Sequence, residues 1–314
     1  MSKLFLIVTS TRSTSNSWIA REQAIQEFGE QLEHRLADVE VDYTTYDDIE
    51  CTVKDNEVVI YDTKHQRDLK DASLVHFKNW TADSEQAALM AYYLERHSIP
   101  FFNTEVNAGL AWGKIAQMVR LAYAQVTVPD TYYASNSYMK SRFDSGQVPA
   151  GFNFPLILKD DDGSKGDDNH LVQSASEVVE ILTASPDKNY VIQNFLPNDG
   201  DYRFLFMGIQ DQPLVFHRQA VSGSHLNNTS KGGQGSLINP AELPADYVLL
   251  ARKAAEALHR EISGVDILVD SATSKSYVLE VNATPAIATG YAQEQKNKMF
   301  ANFLESQLEI TEEE

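Results

Sequence analysis

The sequence predicts an α/β (α+β) protein, and three observations predict it. Strand and helix signals alternate over the first hundred residues, the pattern of a parallel sheet with helices on both faces. Beyond Pro100 the chain turns strand-rich, with short apolar runs separated by fewer helices. The 314 residues are 43% apolar and 23% charged, about two domains' worth of chain at roughly 150 residues each. That length buries a substantial core without metal or disulfide staples.

Taken in order, Lys3 to Thr9 (KLFLIVT) is an apolar run of buried-strand type. The polar stretch Ser10 to Ser17 leads into a helix from about Trp18 to Ala37. Strands follow at Val39 to Tyr46, Glu57 to Tyr61 and Ser73 to Phe77, then a helix from about Asp83 to His97 that Pro100 stops. Residues 1 to about 100 therefore read as one small α/β domain. Next come a helix from about Asn107 to Tyr123, strands at Asp130 to Ala134 and Phe154 to Lys159, and a helix at about Ser176 to Leu182. Strands at Tyr190 to Phe195, Tyr202 to Met207 and Pro213 to Gln219 precede a helix at about Asp246 to Arg260. Two further strands, Gly264 to Val269 and Tyr277 to Asn282, lead to a last helix from about Gln293 to Leu308. The acidic tail Glu312 to Glu314 reads as a frayed, solvated end.

Lysine and arginine number 26 against 45 aspartates and glutamates, a balance of −19. This argues against a broad nucleic-acid surface or an anionic-membrane binder, both of which need a basic footprint. It leaves room for a local basic site that takes a small phosphate ligand. The single cysteine, Cys51, can form neither an internal disulfide nor a zinc site by itself. Its neighbours Asp47, Asp48 and Glu50 disfavour the thiolate, so it is not the expected nucleophile. No stretch approaches the ~18 apolar residues of a membrane helix, and the start Met1-Ser2-Lys3 lacks the longer apolar region of a signal peptide. A reduced, cytoplasmic setting is the expectation.

The most informative segment runs from Gly264 to Pro285. If its two strands form a hairpin centred on Thr273, Asp266 lies opposite Glu280, and Asn282 shares their face. Val265, Ile267, Val269, Tyr277, Leu279 and Val281 then form the core face. Like charges directly opposite each other destabilise a ladder, and a bound divalent cation resolves the repulsion. Two carboxylates and an amide oxygen suit magnesium, which completes its shell with water and substrate phosphates. The alternative is a pair of carboxylates facing solvent at a ribbon's end.

Upstream, Lys159 ends an apolar strand before Asp160-Asp161-Asp162-Gly163-Ser164-Lys165-Gly166, whose glycines allow an anion nest or a plain turn. The spacing is not that of a Walker A loop. Lys114 follows Gly113 on a helix, where a solvated lysine is the ordinary reading. Asp201 and Arg203 alternate onto one strand face, and Arg218 on the next strand joins them. A strand arginine facing a cleft is a rigid fork for phosphate or carboxylate, or else a surface ion pair.

The order and spacing of these pieces say more than any one of them. Pro155 to Lys159, Gly163 to Gly166, Val191-Ile192-Gln193-Asn194-Phe195-Leu196, Gly200 to Arg203, Asn228 before Lys231-Gly232-Gly233, Gly264 to Leu268 and Leu279 to Pro285 carry a resemblance. From about residue 100 to 305 the chain resembles the ATP-grasp superfamily, in particular its branch of ribosomal-protein S6 glutamate ligases (RimK-like). The resemblance implies an ATP-grasp fold behind an N-terminal Rossmann-like domain. It divides the chain into residues 1–100, a central and lid part at 101–198, and a C-terminal part at 199–314 with the magnesium site.

It also implies roles. Lys114 and Lys159 would contact ATP phosphates, with Ser164, Lys165 and Gly166 closing over them. Gln193, Asn194 and Phe195 would form the hinge beside adenine, and Asp201 would hold the ribose. Arg203 and Arg218 would face the phosphoryl group in flight, with Asn228 beside it. Asp266, Glu280 and Asn282 would hold two magnesium ions, manganese substituting. The implied reaction is a carboxylate–amine ligation through an acylphosphate, adding an amino acid to a peptide or protein. A ligase making a small dipeptide or metabolite amide, or a non-catalytic ATP-binding module, are the alternatives. The acceptor is expected between the N-terminal domain and the ATP half, near Ser10 to Thr14 or Lys78, where open α/β sheets bind ligands. Partners are thus ATP and a small amino acid or a peptide tail, with neither nucleic acid nor membrane, and homo-oligomer formation is left open. Three departures, Asn194 for the usual glutamate, Leu226 where an arginine often stands, and Ala286 for a glycine, leave the substrates open.

Overall fold

The computed structural model describes residues 3–12, 18–36, 38–54, 57–108, 113–163, 168–219, 234–288 and 290–308. The chain opens with β1 (Lys3–Thr9), α1 (Trp18–Arg35), β2 (Val39–Thr45), β3 (Ile49–Lys54), β4 (Glu57–Asp62), β5 (Arg67–Asp68), β6 (Leu74–Lys78), α2 (Ser84–Arg96) and β7 (Phe101–Phe102). A four-stranded parallel sheet has the order β2-β1-β6-β7. Successive side chains of β1 alternate faces. Phe5 and Ile7 pack with Ile25, Phe28 and Leu32 of α1, while Leu4, Leu6 and Val8 pack with Ala87, Met90, Ala91 and Leu94 of α2. Helices on both faces are what the alternating signals predict. The strand near Glu57, however, belongs to a separate antiparallel sheet, β3-β4-β5.

α3 (Lys114–Tyr123) is shorter than the helix expected from Asn107. Thr104–Asn107 forms its own short 3-10 turn, and Gly113 stands at the N-cap of α3. Then follow β8 (Thr131–Tyr133), α4 (Asn136–Asp144), β9 (Leu156–Asp160), β10 (Asn169–Val172), α5 (Ala175–Ala184) and β11 (Tyr190–Asn194). Their antiparallel sheet, β10-β9-β11-β8, buries Leu156, Leu158 and Ile192 under Met139 and Phe143 of α4 and Val178 and Leu182 of α5.

The last part comprises β12 (Asp201–Met207), β13 (Leu214–Gln219), β14 (Gln234–Ile238), α6 (Ala245–Leu258), β15 (Ile262–Val269), β16 (Ser276–Asn282) and α7 (Gln293–Leu308). It forms a five-stranded antiparallel sheet of order β14-β13-β12-β15-β16. One face, with Phe204, Phe206, Val265 and Ile267, packs on α6 and on Met118 and Leu121 of α3. Leu205, Met207 and Phe216 instead join Phe300, Phe303 and Leu304 of α7 in the core that also holds Phe5 and Phe28. α7 therefore stitches the first sheet to the last.

β15 and β16 pair as the hairpin reading requires, Asp266 opposite Glu280, but the register shifts between Asp266 and Ile267. Ile267 pairs with Val278, so Leu279 is the extra residue of a bulge. A one-residue insertion exchanges the faces beyond it. Val278 and Val281 are consequently the buried pair on β16, and the Tyr277 and Leu279 expected in the core are only half-buried. Among the described residues no helix is long and apolar enough to cross a membrane.

Candidate active site

Neighbouring strands place Arg203, Asp266 and Glu280 in one row, since Arg203 pairs with Asp266 across β12 and β15 and Asp266 with Glu280 across β15 and β16. Arg203 grips Asp266 bidentately, Nε donating to Oδ1 at 2.7 Å and Nη2 to Oδ2 at 2.6 Å. Its Nη2 also lies 3.7 Å from Glu280 Oε1. In the next row Arg218 faces Asp201, donating from Nε at 2.6 Å, and its Nη2 reaches Asp266 Oδ2 at 2.9 Å. The repulsion between Asp266 and Glu280 is thus met first by two arginines. Two guanidiniums among three carboxylates still leave one carboxylate in excess, on the side where Glu280 is part exposed.

Burial would raise the Asp266 carboxyl, but Arg203 and Arg218 outweigh it and hold it at about 2. Burial pushes Asp201 up to about 6, helped by nearby Asp266 and opposed by Arg218. Arg203 and Arg218 are both raised above the ordinary guanidinium value, their carboxylate partners outweighing the desolvation that would lower them. Asn282 donates its amide N–H to Glu280 Oε1 at 2.9 Å. Hard oxygens from Asp266, Glu280 and Asn282 fit magnesium in chemistry, with the remaining positions left to water and phosphate. Among the described residues no group of three or more His, Cys, Asp or Glu could hold a metal ion, so this two-carboxylate, one-amide set is the candidate.

Lys159 on β9 lies within electrostatic reach of Glu280, Lys114, Asp266 and Asp201. Burial pushes its ammonium down to about 8 against the pull of Glu280. On the phosphate contact that the resemblance implies for Lys159, affinity for ADP should fall as pH rises through about 8, because a neutral amine no longer attracts phosphate. The free protein should gain stability over the same interval, up to the ordinary value of 10.5, since only the unfolded chain still binds the proton there. Titrating ADP affinity and the unfolding midpoint together checks both slopes, and Lys159→Arg should flatten the first.

Lys114 opens α3 and donates from Nζ to the carbonyls of Asp160 (2.7 Å), Asp161 (3.2 Å) and Gly163 (2.5 Å). It holds the start of the glycine-containing loop. The aspartates there are engaged: Ile115 N donates to Asp161 Oδ1 at 2.7 Å at the positive end of α3, and Lys188 sits 3.1 Å from Asp160. A Cβ on Gly113 would fall 2.1 Å from Asp161 Oδ2, so this position has no room for a side chain while Asp161 sits there. Sequence reasoning missed Asp161 as a cap and Lys188 as a partner, because neither role shows until the strands pair.

Near the end of β11, where the resemblance implies a hinge, Gln193 is buried and its Nε2 donates to Thr131 Oγ1 at 2.9 Å. Asn194 accepts from Asn153 N at 3.2 Å and donates to Gly151 O at 3.0 Å, which gives the replacement of the usual glutamate a local purpose. Phe195 N donates to Pro155 O at 3.3 Å. Ser164, Lys165, Gly166, Leu226, Asn228 and Lys231 to Gly233 lie outside the described residues, as do Ser13, Thr14 and the acidic tail. Also missed was Lys296 of α7, buried, donating to Ala286 O at 2.8 Å, with an ammonium lowered to about 8 by burial and then by Arg203.

A family model for the RimK-like ATP-grasp domain matches residues 111–304. The chain belongs to that family, and its class is that of the ATP-grasp ligases. It is 28% identical over 211 residues to a probable alpha-L-glutamate ligase of Mannheimia succiniciproducens, covering 66% of this chain and 67% of that protein. With the coenzyme gamma-F420-2:alpha-L-glutamate ligase of Methanococcus maripaludis it shares 27% over 135 residues, 42% of this chain and 46% of the relative. The chain thus matches between about half and two thirds of the length of these relatives. Among solved structures, the ATP-grasp ligase PsnB complexed with minimal precursor, Mg and ADP gives a TM-score of 0.65 at 16% identity, over 98% of this chain and 99% of PsnB. D-alanyl-alanine synthetase A from Vibrio cholerae gives 0.66 at 12% identity over 98% of each chain. At these identities the likeness is one of fold, and the fold is that of the ATP-grasp ligases.

Proposed function

We propose that this chain is an ATP- and magnesium-dependent carboxylate–amine ligase that adds an amino acid to a peptide or protein. The observation that carries the proposal is the row Arg203–Asp266–Glu280, backed by Arg218 and faced by Lys159. In the reaction a substrate carboxylate oxygen attacks the γ-phosphorus of ATP, and ADP leaves. The amine nitrogen then attacks the acyl carbon, phosphate leaves, and the amine's proton passes to phosphate or solvent. Two magnesium ions on Asp266, Glu280 and Asn282 would supply charge neutralisation for the phosphates. Lys159 draws the phosphates in, and Lys114, its Nζ donating to three carbonyls, holds the backbone of Asp160 to Gly163 in place and adds its charge. Arg203, held on Asp266 by Nε and Nη2, would place its fixed positive charge beside the moving phosphoryl group. Arg218, almost fully enclosed, keeps Asp201 and Asp266 ionised and aimed. Positioning and fixed charge suffice for such a transfer, so no protein nucleophile is required.

The acceptor belongs near Lys78, at the end of β6. There Asn79 N donates to Thr284 Oγ1 at 3.3 Å, joining the first sheet to the loop after Asn282. A division at about residues 100 and 198 is part of the proposal: the second cut falls between β11 and β12, and the first lies just before β7, the last strand of the first sheet. The exposed free thiol of Cys51 is consistent with a reduced, cytoplasmic setting. The names of the relatives make L-glutamate the first amino acid to try. The test incubates the protein with ATP, magnesium, amino-acid pools and peptides, reading phosphate release and product mass together. Phosphate release coupled to a new amide supports the proposal, and nucleotide binding without either product overturns it.

A further inference from the structure

β16 is the edge strand of its sheet, and the outward N–H and C=O groups of an edge need partners. Here they find them on other elements. Val278 N donates to Thr127 O at 2.9 Å, and Val281 N donates to Gln117 Oε1 at 3.1 Å. Val281 O accepts from Arg260, and Ala283 O accepts from Asn103 Nδ2 at 2.9 Å. The bulge at Leu279 interrupts the ladder just before Glu280. The backbone between Glu280 and Asn282 is therefore fixed on its outer side by Gln117 and Arg260. Val281, the residue both of them hold, is itself buried against α3 and α6.

Gln117 lies one turn beyond Lys114 on the same face of α3. That helix thus grips the backbone of Asp160 to Gly163 at its first residue and the strand of Glu280 and Asn282 three residues later. We infer that Gln117 is a positioning residue: it sets Glu280 and Asn282 against the Asp160 to Gly163 backbone by holding Val281 N–H. The inference rests on the proposed metal role of Glu280 and Asn282. Arg260 shares the task but also neutralises buried Glu105, at 2.5 Å from Nε, so its removal would disturb the core as well.

The test uses Mn2+ in the presence of ADP, with affinity read by calorimetric titration on the full chain. Outer partners of metal ligands typically govern about 10- to 100-fold in metal affinity, so Gln117→Met should weaken Mn2+ binding about tenfold. Gln117→Glu, which keeps an acceptor for Val281 N–H, should retain most of it. In a Glu280→Gln background the Gln117→Met change should have little further effect, which a general loss of stability would not produce. Equal Mn2+ affinity in Gln117→Met and the unaltered protein overturns the inference, as does an undiminished effect in the Glu280→Gln background. If Glu280→Gln alone leaves Mn2+ binding untouched, it is the metal reading that has failed, and the role of Gln117 falls with it.

Discussion

Glu280→Gln is expected to cut ADP-forming turnover by about 100-fold or more, the scale seen when one fixed electrostatic stabiliser is removed. Its folding free energy should stay within about 0.5 kcal/mol of the unaltered protein. The two expectations separate because of where Glu280 sits. It stands on an edge strand, its side chain 35% exposed, 2.9 Å from the Asn282 amide and 3.7 Å from Arg203. Glutamine keeps its shape, so no cavity opens, and a part-exposed ion pair contributes at most about 1 kcal/mol. Removing the charge even relieves the repulsion across the ladder with Asp266. What disappears is the anionic oxygen that, on the proposed function, would hold magnesium beside the ATP phosphates. Measuring phosphate release and the thermal midpoint on the same preparation checks both numbers. An unchanged rate takes Glu280 out of the site.

Much of this arrangement was legible in the sequence wherever period two carries information. Asp201 with Arg203 and Glu280 with Asn282 are pairs two residues apart, so the pleat alone puts each on one face. The pairing of Asp266 with Glu280 also followed from the hairpin. The bulge did not, because one unpaired residue leaves no mark in an apolar–polar pattern, and it moved the core from Leu279 to Val278. Elements with little to bury were invisible for the same reason. β3 is exposed along nearly its whole length, and α4 buries only Met139 and Phe143. Long-range partners such as Lys188 for Asp160, or Gln117 for Val281, depend on tertiary register and have no local signature.

Arg218→Leu carries the largest expected loss of stability. Arg218, Asp201 and Asp266 are 3%, 4% and 2% exposed, so removing the arginine strands Asp201 away from water beside an Asp266 that only Arg203 still pairs. Breaking such a buried pair typically costs about 3–5 kcal/mol, most of it the penalty of the stranded charge. The pH dependence between 7 and 4 should steepen as well. In the unaltered protein Asp266 is held at about 2 against an ordinary value of 3.8, so the stability it contributes is present above 3.8 and lost as pH falls toward 2. Asp201 already stands near 6, raised by burial and by Asp266, and Arg218 is the largest influence lowering it. The folded state therefore already binds more protons than the unfolded between about 6 and 3.8. Without Arg218 the Asp201 carboxyl rises further while Arg203 still holds Asp266, and the gain in stability as pH falls from 7 toward 4 should grow. Unfolding midpoints across that range check the sign. Adding Asp201→Leu should recover part of the loss, because the two residues share one interaction. A variant whose midpoint shifts no more between pH 7 and pH 5 than that of the unaltered protein would mean that water, rather than Arg218, compensates Asp201.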